Sequence, residues 1–338
     1  MFTRRAFLIA SMGAMACGHR LRDFPFDGGV GEGGRGLLVR YVGVGCFWME
    51  LFGVGVLTDP FWSHLPLGKV AFGRIAPDPA QIEPHLPPLK NVQAVVVGHG
   101  HYDHVLDLPY VIDKLHPQAK VIGSRTLRHT FAPLQLSRPI VDVNSQAANP
   151  ERLGEPVLLA GGRLRIRPIL SGHPTQYAGF HLFKKSLTVD RTTPPTRARH
   201  FQEGMTLAYL IDWLRSDGTV MARVYVQTSS TGAPAGFFPA SLLEEAPVDV
   251  ALLAMDCANQ KAKGRATVMD FLQPRAVIFC HWEDFFRPKT RPPREIVKVN
   301  LPKLKARVPS TENMHVYFPR WDAQFLFHNS RMVNPADL

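Results

Sequence analysis

Gly98-His99-Gly100-His101-Tyr102-Asp103-His104-Val105 is the stretch of this 338-residue chain that decides its fold. It follows Val92 to Val97, a near-continuous apolar, β-branched run of the kind found in strands buried on both faces. It precedes Leu106 to His116, where apolar residues recur at helical spacing. Three imidazoles and a carboxylate thus stand at the end of a buried strand. Side chains two apart in extended backbone point the same way, so His99 and His101 share a direction, while Asp103 and His104, past the turn, face a second position. Neutral imidazoles and a carboxylate at this density make a donor set for divalent metal ions. As plain packing residues, three adjacent imidazoles would leave polar nitrogens to satisfy in the core, which is costly. Gly98 and Gly100 are expected to let the backbone turn without a Cβ clash.

Outward from this stretch the pattern alternates between strand and helix. Leu38 to Val44 and Phe47 to Thr58 predict a hairpin ending at Asp59-Pro60, Lys120 to Gly123 a short strand, and Leu158 to Leu170 a hairpin through Gly161-Gly162. Leu207 to Trp213 pairs with Val220 to Val226 through Ser216-Asp217-Gly218. Val250 to Met255 and Ala276 to Cys280 read as strands, Ala266 to Leu272 as a helix, and a last helix is expected from Glu295 toward Ala306. Strands mixed with helices, without an internal repeat, give an α/β or α+β layered domain. Lys184 to Glu203 interrupts the pattern with Pro194-Pro195 and the cations Lys184, Lys185, Arg191, Arg197 and Arg199. It is expected to be an exposed loop, either a solvated insertion or a lid.

With 45% hydrophobic and 20% charged residues, the chain has material for a large core, which excludes disorder and collagen-like structure. Apolar runs long enough for a polytopic membrane protein are absent. Four cysteines cannot form a disulfide framework, so packing must hold the fold; Cys257 and Cys280 read as small buried apolar residues. Thr3-Arg4-Arg5-Ala6-Phe7-Leu8 and the small residues up to Ala16 read as a twin-arginine export signal over 1–16, which implies a periplasmic or export-side location. Cys17 resembles a lipidation site, hence a possible membrane attachment. A Gly-rich tether (17–36), the folded domain (37–330) and a short tail (331–338) complete the expected organisation. The formal charge of +11 suits anionic partners and equally describes a solvated basic surface. Arg163, Arg165 and Arg167 alternate and so share one strand face; with the loop cations they favour a small-molecule or lipid anionic substrate. No interleaving of aromatic and basic residues suggests a nucleic-acid partner.

Several stretches occur in an order that resembles the metallo-β-lactamase fold superfamily, whose motif is H-x-H-x-D-H. They are Val56 to Pro60, Ala94 to His104, Ser171-Gly172-His173 and Val277 to Trp282. The resemblance runs roughly from Leu38 to His328 and is nearest to the branch containing N-acyl phosphatidylethanolamine phospholipase D and ascorbate-phosphate lactonase. It implies a four-layer αββα sandwich with two divalent metal ions, zinc first and Mn or Fe as other choices. His99, His101 and His173 would hold one ion and Asp103, His104 and His281 the other. The implied activity is metal-dependent hydrolysis by an activated hydroxide, on a phosphodiester or other anionic ester, with Asp103 as the catalytic carboxylate that holds the nucleophile and passes a proton.

The chain departs from the pattern at one place. Members of that branch carry Gly-Asp-Thr-Gly after the strand that here is Val224-Tyr225-Val226, and its Asp bridges the metals; this chain reads Gln227-Thr228-Ser229-Ser230-Thr231-Gly232. Thr228 and Ser229 supply no charge there, which weakens the second ion or leaves hydroxide as the bridge. Asp256 is either a substitute carboxylate or a loop cap. Lactone or β-lactam hydrolysis, and a metal-binding exported protein without catalysis, are the competing readings. Asp59 either orients a metal-bound histidine or only caps an Asp-Pro turn, and Tyr177, His181 and Trp282 either line the pocket or pack.

Overall fold

The computed structural model describes Leu21 and residues 24–27, 36–175, 181–297 and 299–329. The stretch expected to be an export signal, Cys17, most of the expected tether, Tyr177 and the expected tail lie outside the described residues. No helix among the described residues is long and apolar enough to cross a membrane.

Two seven-stranded sheets form the centre. In chain order the strands are β1 (Leu37–Gly43), β2 (Cys46–Leu51), β3 (Val54–Thr58), β4 (Val92–Val96), β5 (Lys120–Gly123), β6 (Ile140–Asp142) and β7 (Val157–Leu159). They continue with β8 (Leu164–Leu170), β9 (Leu207–Leu214), β10 (Val220–Gln227), β11 (Val250–Ala254), β12 (Ala276–Cys280), β13 (His315–Tyr317) and β14 (Gln324–Phe327). One sheet has the order β14-β1-β2-β3-β4-β5-β6 and the other β13-β12-β11-β10-β9-β8-β7. In these orders the first sheet passes from antiparallel to parallel pairs and the second from parallel to antiparallel ones. The change falls at β3 to β4 in the first sheet and at β10 to β11 in the second.

The strands are buried on both faces because each sheet is covered twice. Along β4, Ala94 and Val96 face the core between the sheets, whereas Val92 and Val95 face the helical layer with Val105, Leu108, Val111 and Leu127. On the far side of the second sheet, Met255, Cys257 and Ala258 pack with Val268, Met269, Leu301 and Leu304. Helix, sheet, sheet, helix is therefore the layer order expected from the resemblance. Side-chain hydrogen bonds cross the central core: Tyr209 donates its hydroxyl to Val97 O at 2.7 Å, and Trp213 Nε1 donates to Val54 O at 2.8 Å. Cys46, Cys257 and Cys280 are buried and free, and burial pushes the Cys257 thiol up to about 12, as suits inert packing residues.

Some expected boundaries are corrected. The run Phe47 to Thr58 is two strands, because Phe52 (φ 48°) and Gly53 (φ 76°) make the two-residue turn with positive φ that suits a tight hairpin. Leu106 to His116 is not one helix. A short helix (Tyr102–Val105) precedes Leu108–Val111 and the tight turn Ile112–Lys114, and Asp107 between them turns its carboxylate away to the backbone N–H groups of Trp62 and Ser63. The last helix starts only at Leu301 and runs to Arg307, since Asn300 caps it and Glu295 accepts a bond from Leu301 N. Asp256 lies in the first turn of a helix (Met255–Ala262), not in a loop. Helix Arg125–Phe131 and strands β6, β13 and β14 had no clear signal in the sequence.

The alternating arginines serve the fold. Arg165 binds Asp212 and Glu245, Arg167 donates to the carbonyls of Leu153 and Gly154, and Arg163 bonds Ala160 O. Arg223, fully buried on β10, grips Asp212 through Nε at 2.6 Å and through a second nitrogen at 3.0 Å, and reaches Glu245 as well. None of these groups lines the central cleft. Removing Asp212 takes the Nε partner from the buried Arg223 and leaves Glu245 as the remaining counter-charge, so Asp212→Ala should lower the free energy of unfolding by about 3 kcal/mol, the lower end for a broken buried pair. Denaturant titration of parent and variant measures it, and a loss below about 1 kcal/mol would show that the pair is not needed there.

Candidate metal centre

The site lies where strands end, with His101 just before and Asp103 and His104 inside the short helix Tyr102–Val105 that follows β4. His99 follows β4, His173 follows β8, His281 follows β12, Thr228 follows β10 and Asp59 follows β3. Such rims are where ligand sites form in layered α/β folds, because the strand ends open a crevice between diverging connections. Backbone bonds tie the rim together: Leu207 N donates to Gly98 O at 2.7 Å, Gly100 N to Glu203 O at 2.9 Å and His281 N to Val44 O at 3.0 Å. Neither Gly98 nor Gly100 has a positive φ, so their role differs from the expected turn. A Cβ on Gly98 would lie 2.4 Å from Thr228 Oγ1, and one on Gly100 would lie 2.2 Å from Gln202 O. Close approach is what selects glycine at both.

The six donors gather into two sets. His99, His101 and His173 present ligand atoms within 4.8 Å of one another, and so do Asp103, His104 and His281. His99 Nε2 lies 3.0 Å from His101 Nδ1, and the ring centroids of His99 and His104 are 4.0 Å apart, so the sets adjoin. In the second set Asp103 Oδ2 is 3.7 Å from His104 Nε2 and 3.5 Å from His281 Nε2. His281 holds a φ of 61°, a strained conformation for a residue with a Cβ, which aims its ring back into the rim.

Asp59 resolves the two readings offered for it. Its Oδ2 lies 2.7 Å from His104 Nδ1 while its Oδ1 accepts Gly98 N at 2.7 Å. The proton of His104 is thereby fixed on Nδ1, and Nε2 is left bare, buried and without a partner. A buried imidazole nitrogen with a free lone pair, beside a carboxylate and a second imidazole, suits a divalent cation. His173 has the same polarity: Nδ1 donates to Pro174 O at 2.7 Å, so only Nε2 remains to bind. Burial lowers His99 and His173 below the ordinary imidazole value and brings His101 to about 4, so these rings are neutral at pH 7. Burial works against ionisation of Asp103, but the imidazoles of His104 and His281 outweigh it and hold its carboxyl well below the usual range.

Four of the six donors, His101, Asp103, His173 and His281, line a cavity of about 490 Å³. Thr228 and Ser229 line it where the bridging carboxylate was expected, and Thr228 Oγ1 is buried with no partner. Asp256 reaches the lining from the helix Met255–Ala262. The segment Lys184 to Glu203 is more than an exposed loop. Ala198 and Phe201 are buried, Asp190 holds His129 at 2.6 Å, and Arg197 and Arg199 line the cavity. Trp282 packs away from the site against Trp321 and Phe26. His181 stands beside His173, with ring centroids 5.3 Å apart, and meets Glu203, a residue that carried no motif in the sequence.

Two sheets between two helical layers, with this motif at the strand ends, define a metallo-β-lactamase-like protein. Residues 55–214 match the family model for the beta-lactamase superfamily domain, so that part of the chain is similar to the metallo-β-lactamase fold superfamily. An uncharacterized protein of Mycobacterium tuberculosis and another of Mycobacterium bovis are each 41% identical over 78 residues. That is 22% of this chain and 20% of each relative, so the match spans about a fifth of their length. Among solved structures, Igni18, a metallo hydrolase of the archaeon Ignicoccus hospitalis, superposes with a TM-score of 0.54 at 18% identity, covering 87% of this chain and 99% of its own. A possible metal-dependent hydrolase of Veillonella parvula gives 0.51 at 13%, covering 87% and 100%. At such identities the likeness is one of fold.

Asp59→Asn keeps the shape but offers His104 an amide in place of a carboxylate. Zinc affinity should fall about 10–100-fold, as read by equilibrium dialysis with metal analysis. Unchanged affinity would separate Asp59 from the metal centre.

Proposed function

We propose that this protein is a two-metal hydrolase acting on an anionic ester, such as a phosphodiester, that carries an apolar group. The adjoining donor sets at the floor of one cavity carry the reading, because a single ester group seated there meets both. His99, His101 and His173 would hold one ion, and Asp103, His104 and His281 the other. Divalent ions held there supply Lewis acidity and bring the pKa of water to about 7.

The remaining work falls to the chain. Asp103, ionised at neutral pH, is the one carboxylate among the six donors, so it orients the attacking water and then carries a proton toward the leaving group. Thr228 offers a hydroxyl to the same space without adding charge. Arg197 and Arg199 at the cavity wall attract an anion, a role the sequence had shared with arginines that serve the fold. Leu67, Val70, Phe285, Phe286 and Val299 add apolar lining to the same cavity, which suits an alkyl or acyl substituent. An export-side location, suggested by Arg4-Arg5 and the apolar residues after it, belongs to the same proposal.

Purified protein loaded with zinc should hydrolyse an alkyl-bearing phosphodiester in preference to a lactone or a β-lactam. His101→Ala should cut turnover by at least about 10³-fold, and a chelator should abolish it reversibly. Preference for the lactone or β-lactam ring would replace the substrate class. Zinc bound without turnover of any panel member would favour a binding protein, a reading that the neutral Thr228 supports.

A further inference from the structure

We infer that the chain has an accessory divalent-cation site, formed by His173, His181 and Glu203, that competes with the first metal set for His173. The three present ligand atoms within 4.8 Å of one another, as the two sets above do. Glu203 is 8% exposed, and its Oε1 is taken by the Thr206 hydroxyl at 3.2 Å. Its other oxygen, Oε2, lies 2.9 Å from His181 Nε2, yet both atoms are buried and neither has a well-aligned hydrogen-bond partner. Two donors that close and misaligned for one another point toward a shared third position. Donors about 2.0–2.2 Å from one cation stand roughly 3 Å apart.

Two imidazoles and a carboxylate with room for water suit zinc or a similar ion. His173 makes the site consequential. Its Nδ1 is engaged with Pro174 O, so it has one lone pair to give, through Nε2. An ion on His181 and Glu203 therefore completes its set only by drawing His173 away from His99 and His101. Excess metal is thus an inhibitor built into the site's own histidines. His181 is 27% exposed on its side chain, so the ring lies at the surface although its Nε2 points inward.

The competition rests on the proposed role of His173 in the first set, whereas the extra binding does not. Equilibrium dialysis of the full chain against Zn²⁺ from micromolar to millimolar concentration, with metal per chain measured, tests both. The parent should show a weaker additional step that Glu203→Gln and His181→Gln each weaken at least tenfold and His281→Ala leaves in place. Turnover of the parent should fall over the zinc range of that step, and turnover of Glu203→Gln should not. Far-UV circular dichroism confirms that each variant is folded, and His181→Gln alone decides the matter if Glu203→Gln does not fold. Equal isotherms for the parent and the folded variants would overturn the accessory site. Failure of His281→Ala to lose a tight step would instead overturn the two-metal reading.

Discussion

The carboxylate of Asp59 holds the centre together. It is fully buried at the end of β3, with its backbone N–H tied to Val96 O in the neighbouring strand. One oxygen takes the backbone N–H of Gly98 as the motif leaves β4, and the other takes the Nδ1 proton of His104 after the turn. A single side chain therefore sets both the direction in which the histidine motif departs and the tautomer of its last histidine. A buried charge of this kind is tolerable only when fully partnered, and crowding enforces the partnership. A Cβ on Gly45 would sit 2.5 Å from Asp59 Oδ2 and 3.0 Å from His104 Nδ1.

The same crowding explains the packed rim. Thr228 presses on Gly98, and Gln202 presses on Gly100 through its carbonyl. Because β9 begins with a bond from Leu207 to Gly98 O, the second sheet cannot move without carrying the histidine motif along. Tyr209, two residues further, donates to Val97 O across the core. The donors are therefore preorganised by contacts between sheets, and their convergence does not depend on loop conformation alone.

Much of this was readable from residues. A β-branched run with the motif at its end names a buried strand and the first four donors, because side-chain period and donor chemistry are local properties. His173 and His281 were reached only through the order of matching stretches; nothing local distinguishes either from an ordinary histidine. Glu203 was unreadable, since its partner His181 is 22 positions away and meets it only through the course of the loop. The arginines of β8 show the opposite error. Their alternation correctly gave one face, but the sequence could not show that Asp212 and Glu245 face them. Helix Arg125–Phe131 was missed because its first-turn signal is a single Ser124 cap, and β13 and β14 because so short a strand carries too little pattern.

The missing bridging carboxylate has a counterweight in the field around the second donor set. Burial disfavours a charged His281 ring, yet Asp103 in contact, and Glu283 and Asp256 through space, together raise its basicity above the ordinary imidazole value. Groups that favour positive charge on that ring favour a cation beside it for the same reason. Glu283 is held in place by the Tyr41 hydroxyl at 2.6 Å and by Val44 N, and Asp256 is fixed in the first turn of its helix. Where the branch that the sequence resembles carries a carboxylate, this chain has the neutral Thr228, and the nearby negative charge comes at longer range from Glu283 and Asp256. Their attraction is weaker than a direct bond, since it falls with distance. Asp103 remains the one carboxylate among the six donors.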